Sequence, residues 1–243
     1  LQACQKENIQ PIIGLEADVD IDGQTVPFLI LAKNNQGAKN LIRLSTCLCS
    51  GVYAKGVPLA QLRAYCQNNI LIVYGEGGYG DHELIQDDEE GLKQKLSRLL
   101  TSLGSFYAAV SYQDSILWRR KNVLLKRCCR ALHVPTVAVH KIFYLEKQDV
   151  DTHHVLRAID TGLRLDDTSL PLQSGRHFLS LAEFDALYDE DDLEQSDQIA
   201  ACCQADWQFE KTSLPVFPTP KPLNGEQYLT QLCLAGLQKR LHG

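Results

Sequence analysis

Three short segments decide the fold class: NILIVYG at 69–75, SFYAAVS at 105–111 and PTVAV at 135–139. Each run is short and apolar, which is typical of buried strands. Helical patterns lie between the runs, at 88–103 and 115–133. Because strands that alternate with helices usually pair in parallel, the sequence predicts an α/β barrel or an open sheet.

A hairpin precedes this alternation. The run IQPIIGLE at 9–16 predicts a buried strand that continues to about Ile21. The dipeptide Asp22-Gly23 is a hairpin turn signal, because both residues tolerate a positive φ. Its predicted partner strand is TVPFLILA at 25–32. The sheet is therefore expected to begin with an antiparallel pair.

Further helices and a linker complete the predicted organisation. Helices are predicted over 37–49, 58–66, 150–160, 180–188 and 192–205. Four prolines then fall within 210–225, a density that prevents regular helix and favours an extended linker. A last helix is predicted from about Gly225. We predict one large domain over 1–212, a linker over 213–224 and the start of another domain over 225–243.

Composition excludes several classes of protein. Hydrophobic residues make up 44% and charged residues 22% of the chain, which is typical of a soluble globular protein. The apolar runs are too short to cross a bilayer, and the first residues carry no signal-peptide pattern, so no membrane partner and a cytoplasmic location are expected. The net charge of −6 does not favour a module that binds nucleic acid alone.

The nine cysteines do not predict a metal site. None belongs to a C-x-x-C pair that is followed by a second such pair or by an H-x-x-x-H. Adjacent cysteines on a helix point in different directions and rarely bridge. We therefore interpret them as small buried side chains in a reducing compartment.

The predicted helix over 115–133 has two distinct arcs. The apolar arc, expected to pack on the sheet, holds Leu117, Leu124, Cys128 and Leu132. The basic arc holds Arg119, Arg120, Lys126, Arg127 and Arg130. Candidate contacts to a DNA backbone on this arc are Arg119, Lys126, Arg127 and Arg130. The alternative is that the arc is simply the solvated face of an outer helix, which explains the same pattern.

Several segments, in order, resemble one family. They are IQPIIGLEADV at 9–19, FLILAKNNQGAKNLIRLST at 28–46, PTVAVHKIFYLEKQDVDTHHVLRAI at 135–159, and LPVFPTP at 214–220 followed by YLTQLCLAGLQKR at 228–240. Together they are similar to the PHP (polymerase and histidinol phosphatase) domain of the alpha subunit of bacterial DNA polymerase III and to its exit into the polymerase. The looser pattern looks most like the second replicative polymerase of low-GC Gram-positive bacteria.

The resemblance implies a distorted (β/α)7 barrel that is incomplete at its N-terminus, followed by a helical lead-in to the polymerase palm. The first metal motifs of the family would precede Leu1, and the aspartates of nucleotidyl transfer would follow Gly243. The full-length protein would then be a DNA-directed DNA polymerase that uses Mg²⁺. Its partners would be the rest of the polymerase chain, DNA through the full-length protein, and other subunits of the replisome.

The resemblance also identifies candidate metal-site residues. An intact PHP site holds divalent cations with His, Asp and Glu side chains. Glu16 stands where the family has a carboxylate ligand, and His140 stands at the family's Asn position. Lys141 replaces the family's Asp, and Phe143 replaces its His. Glu76 lies nearest to a glycine-rich strand end where the family can supply a further ligand.

An ammonium and a phenyl ring at two ligand positions predict a degenerate site. The change from Asp to Lys141 alters the local charge by two units and repels a dication. We therefore expect Lys141 to pair with Glu16 or another carboxylate, and we expect no cofactor in this fragment. The alternative is an active phosphoesterase or 3′–5′ exonuclease that uses Zn²⁺ or Mn²⁺. The neighbouring His153 and His154 are expected to cap or pack, because adjacent helical residues face different ways.

Overall fold

A computed structural model describes residues 2–75, 77–112, 116–206 and 217–241. The chain divides into two units, 1–207 and 208–243. The strands of the first unit are β1 (Gly14–Ile21), β2 (Gln24–Ala32), β3 (Val57–Pro58), β4 (Asn69–Tyr74), β5 (Tyr107–Val110) and β6 (Thr136–Ala138). Its helices are α1 (Gln2–Lys6), α2 (Asn35–Cys49), α3 (Leu59–Tyr65), α4 (Asp81–Gln86), α5 (Glu89–Leu103), α6 (Ile116–Ala131), α7 (Val150–Thr161), α8 (Leu181–Leu187) and α9 (Glu190–Cys202), with a 3-10 turn at Lys147–Asp149.

The described strands form one sheet in the order β3-β1-β2-β4-β5-β6. The predicted hairpin is confirmed, because β1 and β2 are antiparallel and Ile21 pairs with Gln24. Asp22 and Gly23 take φ values of 55° and 83°, as a two-residue turn of the I′ type requires. Strands β4, β5 and β6 pair in parallel as predicted, whereas β2 and β4 are antiparallel. The α/β class is confirmed.

One face of the sheet carries the main core. Alternate residues of β1 and β2 point to this face, where Phe28 and Ile30 are fully buried. Helices α2, α3, α5 and α6 cover it with leucines that include Leu44, Leu99 and Leu124. The Ncap side chains of α2 and α5 accept hydrogen bonds from free N–H groups of the first turn, which fixes where these helices begin.

The opposite face of the sheet is covered in part by α9. Ile199 and Cys203 pack against Ile72 and Val137 on that face. Beside α9, an open apolar groove of about 570 Å³ runs past Leu29 and other side chains of the sheet. The two faces therefore differ: one is sealed by four helices, and the other stays accessible along part of its width.

A buried ion pair fixes α9 against α6 and β6. Asp192 is 1% exposed, and its Oδ1 accepts a hydrogen bond of 2.5 Å from the Thr136 hydroxyl. Its other oxygen pairs with the Lys126 ammonium, which also contacts Asp189 at 2.5 Å. Burial would lower the pKa of Lys126, but its hydrogen bonds to the two carboxylates outweigh burial and raise it.

Several predicted boundaries were wrong. The predicted strand at 9–16 begins only at Gly14, and Ile9 and Ile12 are 59% and 44% exposed. The apolar residues there flank Pro11, which has no N–H to donate to a sheet. Pro58 does not lie inside a helix. It belongs to β3, where it pairs with Asp20 of β1, and the helix starts at the next residue. Helix α4 was missed because it is only six residues long.

Helix α6 confirms part of the predicted apolar arc. Leu124 and Cys128 are buried against the core, and Leu132 packs partly against it. Leu117 is 49% exposed, so its assignment to the packed arc was wrong. Leu117 lies in the first turn of α6, where the helix extends beyond the core that its middle covers.

The second unit contains α10 (Gly225–Leu241), which confirms the last predicted helix. Asn224 and Gln227 exchange backbone and side-chain hydrogen bonds of 2.9 and 3.1 Å at its N-terminus. Phe217 stacks on Tyr228 with their ring centroids 6.3 Å apart. The first part of the predicted linker, up to residue 216, lies outside the described residues. No described helix has the length and hydropathy that a bilayer crossing requires.

Candidate functional site

Glu16 lies on β1 and points to the face of the sheet opposite the four core helices. Its neighbour Ala17 is 1% exposed and belongs to the main core. Because successive side chains of a strand alternate, Glu16 must point the other way. In the register of the sheet Glu16 pairs with Leu29, which in turn pairs with Ile72. Tyr74, two residues further along β4, therefore shares the face that Glu16 occupies.

Two side chains contact the Glu16 carboxylate. The Tyr74 hydroxyl donates a hydrogen bond of 3.1 Å to Oε2 of Glu16. The Lys141 ammonium lies 3.3 Å from Oε1 of the same carboxylate. It also lies 4.0 Å from the centroid of the Tyr74 ring, within the range of a cation–π interaction. The predicted ion pair between Lys141 and Glu16 is therefore present, and Tyr74 contacts both of its members.

The phenol of Tyr74 is electrostatically fixed in its protonated form. Burial raises the pKa of Tyr74, and the negative charge of Glu16 raises it further. The hydroxyl is therefore a donor at any physiological pH. It satisfies one carboxylate oxygen, while the Lys141 ammonium neutralises the other.

The Glu16–Lys141 contact joins two parts of the sheet that are far apart in the strand order. Lys141 follows β6 by three residues, and four strand spacings separate β6 from β1 in the sheet order. On a flat sheet these spacings, at about 4.8 Å each, would amount to roughly 19 Å. The side chains meet at 3.3 Å, a distance that the length of both side chains, the three residues after β6 and the twist of the sheet together allow. The contact agrees with a barrel, although the six described strands do not close.

The Phe143 position contributes a ring and no electron-pair donor. Phe143 stacks on His153 with ring centroids 5.3 Å apart and an interplanar angle of 11°. His153 also contacts the Tyr144 ring at 5.5 Å, and burial lowers the pKa of His153. His154 Nε2 lies 3.0 Å from the Leu165 carbonyl oxygen. The packing predicted for the adjacent histidines is therefore what the structure shows.

His140 makes a hydrogen bond through one nitrogen of its ring. Its Nε2 lies 3.2 Å from the carbonyl oxygen of His177, so this nitrogen carries the proton. Burial lowers the pKa of His140, which favours the neutral ring. The lone pair remaining on Nδ1 is buried. The sequence placed His140 and Glu16 at one candidate site, and each has a separate partner in the fold.

The described residues do not by themselves assemble a donor set for a divalent metal. Within residues 2–75, 77–112, 116–206 and 217–241, no group of three or more His, Cys, Asp or Glu side chains is arranged to hold one. Glu16 is instead neutralised by an ammonium, which repels a dication at any dielectric constant. Glu76, the other predicted ligand candidate, lies outside the described residues.

The four candidate DNA-contact residues of α6 lie beside aromatic or acidic side chains. Arg119 Nε donates to the Tyr112 hydroxyl at 3.0 Å, and Arg127 pairs with Glu89 at 2.5 Å. Lys126 lies in the buried cluster with Asp192. Arg130 is exposed. Its positive charge lowers the pKa of Asp189, although Lys126 lowers that pKa more. These contacts neutralise much of the basic arc, and DNA binding there stays a prediction.

The sequence reasoning missed Tyr74. The signal was an aromatic residue at the end of a strand whose other residues are all aliphatic or amide. It could have been found by assigning the strand's faces, because Ile70, Ile72 and Tyr74 alternate onto the face opposite the core helices.

Comparison with known proteins identifies the family. Residues 1–115 match the PHP domain family. This match identifies a PHP domain over residues 1–115. The predicted resemblance is thereby confirmed, and so is the fold class, because a mixed sheet with outer helices agrees with a PHP barrel.

The PHP domain continues into a longer similarity with replicative polymerases. The chain is 30% identical over 248 residues to the DNA polymerase III subunit alpha of Bacillus subtilis. The aligned region covers 98% of this chain and 22% of that protein. It is 26% identical to the same subunit of Halalkalibacterium halodurans, again over 98% of this chain and 22% of the relative. It is 28% identical to that of Staphylococcus aureus strain COL, over 98% of this chain and 20% of the relative.

The chain thus spans about a fifth of the length of the curated relatives it matches. The match extends beyond residue 115 to nearly the whole chain, and so includes the segment with His140, Lys141 and Phe143. The similarity to Bacillus and Staphylococcus proteins agrees with the Gram-positive pattern noted in the sequence.

Proposed function

We propose that the chain is the PHP region of a DNA polymerase III alpha subunit, and that this region supports the polymerase without binding a metal of its own. The full-length protein would carry out DNA synthesis with Mg²⁺ and contact DNA and other replisome subunits through its remaining domains. The similarity over 98% of the chain supports the first part of the proposal. The Glu16–Lys141–Tyr74 cluster supports the second part.

One observation carries the claim of an inert site. The Lys141 ammonium lies 3.3 Å from Glu16, where it provides the positive charge that a metal would otherwise supply. A catalytic metal in a phosphoesterase needs an open coordination position for water, together with several nitrogen or oxygen donors. Phe143 supplies no electron-pair donor, because its ring stacks on His153 and carries no nitrogen or oxygen.

The ion pair itself contributes little to folding. The Lys141 and Glu16 side chains are 27% and 50% exposed, and partly exposed pairs stabilise a protein by about 1 kcal/mol or less. Its effect is local: it leaves the Glu16 carboxylate neutralised and unavailable to a cation. We therefore assign the domain a scaffold role, in which the large helix-covered core, and not the face that carries Glu16, is the functional element.

The test uses the full-length protein encoded by the gene. Primer extension with Mg²⁺ is expected to show DNA synthesis. After incubation with Mn²⁺ or Zn²⁺ and dialysis, elemental analysis is expected to find no metal retained by the PHP region. Degradation of 3′-labelled single-stranded DNA is expected to stay at background and to be insensitive to chelators.

Two variants on the same strand sharpen this test. Glu16→Gln removes the carboxylate that pairs with Lys141, and Asp18→Asn removes an exposed carboxylate two residues away on the same face. Neither is expected to change DNA synthesis or the background nuclease rate. Chelator-sensitive nuclease activity that Glu16→Gln abolishes and Asp18→Asn preserves would establish the alternative, an active metal-dependent exonuclease or phosphoesterase.

A further inference from the structure

A polar cavity opens at the carboxyl ends of β5 and β6. It has a volume of about 640 Å³, and its lining includes Tyr112, which follows β5, His140, which follows β6, and residues of α8. In open α/β sheets ligands bind outside the carboxyl ends of the strands, and pockets for small molecules measure about 300–1,000 Å³. The described lining does not include Glu16, Tyr74 or Lys141, so this cavity is separate from their cluster.

Two opposite charges line the cavity, the ammonium of Lys147 and the carboxylate of Glu183. Oε2 of Glu183 accepts hydrogen bonds of 2.9 and 2.7 Å from the backbone N–H and the hydroxyl of Ser180. Oε1 lies 3.9 Å from Nε2 of His177, beyond hydrogen-bond distance, so it can accept a donor from a ligand. The hydrogen bonds from Ser180 lower the pKa of Glu183, and the charge of Lys147 adds to this effect, so Glu183 is ionised at neutral pH.

Another part of the lining is apolar or aromatic. Leu179, Ala186 and Leu187 contribute aliphatic surface, and Tyr112 contributes a ring. The Tyr112 ring is fixed in place because its hydroxyl accepts a hydrogen bond of 3.0 Å from Nε of Arg119. A flat ligand would therefore pack its ring on this surface while its polar groups meet the two charges.

We propose that the cavity binds a nucleoside monophosphate whose base carries an exocyclic amino group. Such a ligand combines the anion, the N–H donor and the flat ring that the lining is suited to receive. The inference rests on the proposed function, because a DNA polymerase is exposed to nucleotides throughout synthesis.

Each part of the nucleotide has its own contact. Lys147 is the one lysine in the described lining, which suits a single phosphate group. Oε1 of Glu183 would accept an N–H of the amino group, and the base would pack against Tyr112 and Leu187. A carboxylate is a good partner for the N4 amino group of cytosine, whereas a base with a carbonyl oxygen at that position meets the carboxylate with a second acceptor. The cavity should therefore prefer cytosine to uracil.

Equilibrium dialysis of the full-length polymerase with radiolabelled dCMP tests the proposal. EDTA is present and primer and template are omitted, so that the polymerisation site lacks both its metal and its DNA. The matched ligand is dUMP, which carries a carbonyl oxygen in place of the amino group. The expected result is saturable binding of a single dCMP per chain, with dUMP at least about tenfold weaker.

Four variants connect this binding to the cavity. Lys147→Ala should weaken dCMP at least about tenfold, whereas Lys55→Ala, at an exposed lysine elsewhere, should leave binding unchanged. Glu183→Gln keeps a side chain that can cap α8 and should remove the preference for dCMP over dUMP. Ala186→Phe places a ring in the cavity and should abolish binding.

Three results would overturn the proposal. One is the absence of saturable dCMP binding. Another is equal binding of dCMP and dUMP by the unchanged protein. The third is dCMP binding that survives both Lys147→Ala and Ala186→Phe, which would place the nucleotide elsewhere. Primer extension by the same preparations separates the two levels, because DNA synthesis without dCMP binding rejects this inference alone, whereas absence of DNA synthesis by the unchanged protein rejects the proposed function.

Discussion

The two carboxylates that share the Lys126 ammonium are predicted to differ sharply in their contribution to stability. Asp192 is 1% exposed, while the Asp189 side chain is 72% exposed. Asp192 also accepts the Thr136 hydroxyl hydrogen bond at 2.5 Å. Asp192→Ala and Asp189→Ala thus remove the same chemical group from the same cation, in one case inside the protein and in the other at its surface.

The expected magnitudes follow from burial. Removing one member of a buried ion pair costs about 3–5 kcal/mol when the other charge is left uncompensated. Lys126 would keep Asp189 at 2.5 Å, which places the Asp192→Ala loss near the lower limit, at about 3 kcal/mol. Part of this is the Thr136 hydroxyl, which loses its acceptor and costs about 1 kcal/mol or more. Asp189→Ala should cost less than about 1 kcal/mol, because solvent screens an exposed pair.

Equilibrium unfolding in urea measures both variants. Trp118 lies on α6 with Lys126 and is 9% exposed, so its fluorescence should report the loss of packing around this helix. The difference between the two variants in free energy of unfolding is expected to be about 2 kcal/mol or more. Equal losses, or a loss below about 1 kcal/mol for Asp192→Ala, would refute the argument that burial determines the energy of this cluster.

The same pair of variants predicts a pH dependence. Hydrogen bonding to Lys126 lowers the pKa of Asp189 below its ordinary value of 3.8. The contribution of a carboxylate with a lowered folded-state pKa is fully present above the ordinary value and is lost as the pH falls through the folded-state pKa. The stabilities of the wild type and Asp189→Ala should therefore keep a constant small difference at neutral pH and converge only below the ordinary value.

Three further predictions concern the core, a helix contact and the thiols. Phe28→Ala should lower the free energy of unfolding by about 3–5 kcal/mol, measured in urea, since Phe28 is fully buried. Gly37→Ala should lower the free energy of unfolding by about 1–3 kcal/mol, because the new Cβ would lie 2.3 Å from the Asn68 carbonyl oxygen. The control Gly236→Ala places its Cβ with no atom within 4 Å, so it should leave the free energy of unfolding unchanged or raise it. Burial raises the pKa of Cys129 to about 12, so this thiol should react with a disulfide reagent only after unfolding, while the exposed Cys202 reacts at once.

Elements determined by local sequence were predicted well. The hairpin followed from Asp22-Gly23, whose positive φ values the structure confirms. The three parallel strands followed from apolar runs separated by amphipathic helices. The predictions failed where apolar content was not matched by backbone pairing, as at Ile9 and Ile12, which flank a proline and remain exposed. Burial there depends on what the rest of the molecule places against these residues, which a local pattern does not contain.

In the candidate site, too, the residue types could be read from the local sequence, whereas the contacts between them could not. Residue types alone predicted a degenerate site at Lys141 and Phe143, and this stays a prediction. Which carboxylate meets Lys141 depends on the tertiary arrangement, since four strand spacings separate β6 from the strand of Glu16. Tyr74 became part of the site for the same reason: β4 lies between the two charged residues, and its last side chain reaches both.

The fold also explains how one lysine can neutralise Glu16. In a barrel-like sheet the ends of distant strands converge, so a long side chain near one strand end reaches groups on the others. The Lys141 ammonium lies against the Glu16 carboxylate and over the Tyr74 ring. Under the proposed function, the geometry that would gather metal ligands in an intact site gathers an ion pair here, because two of the expected ligand positions carry Lys141 and Phe143.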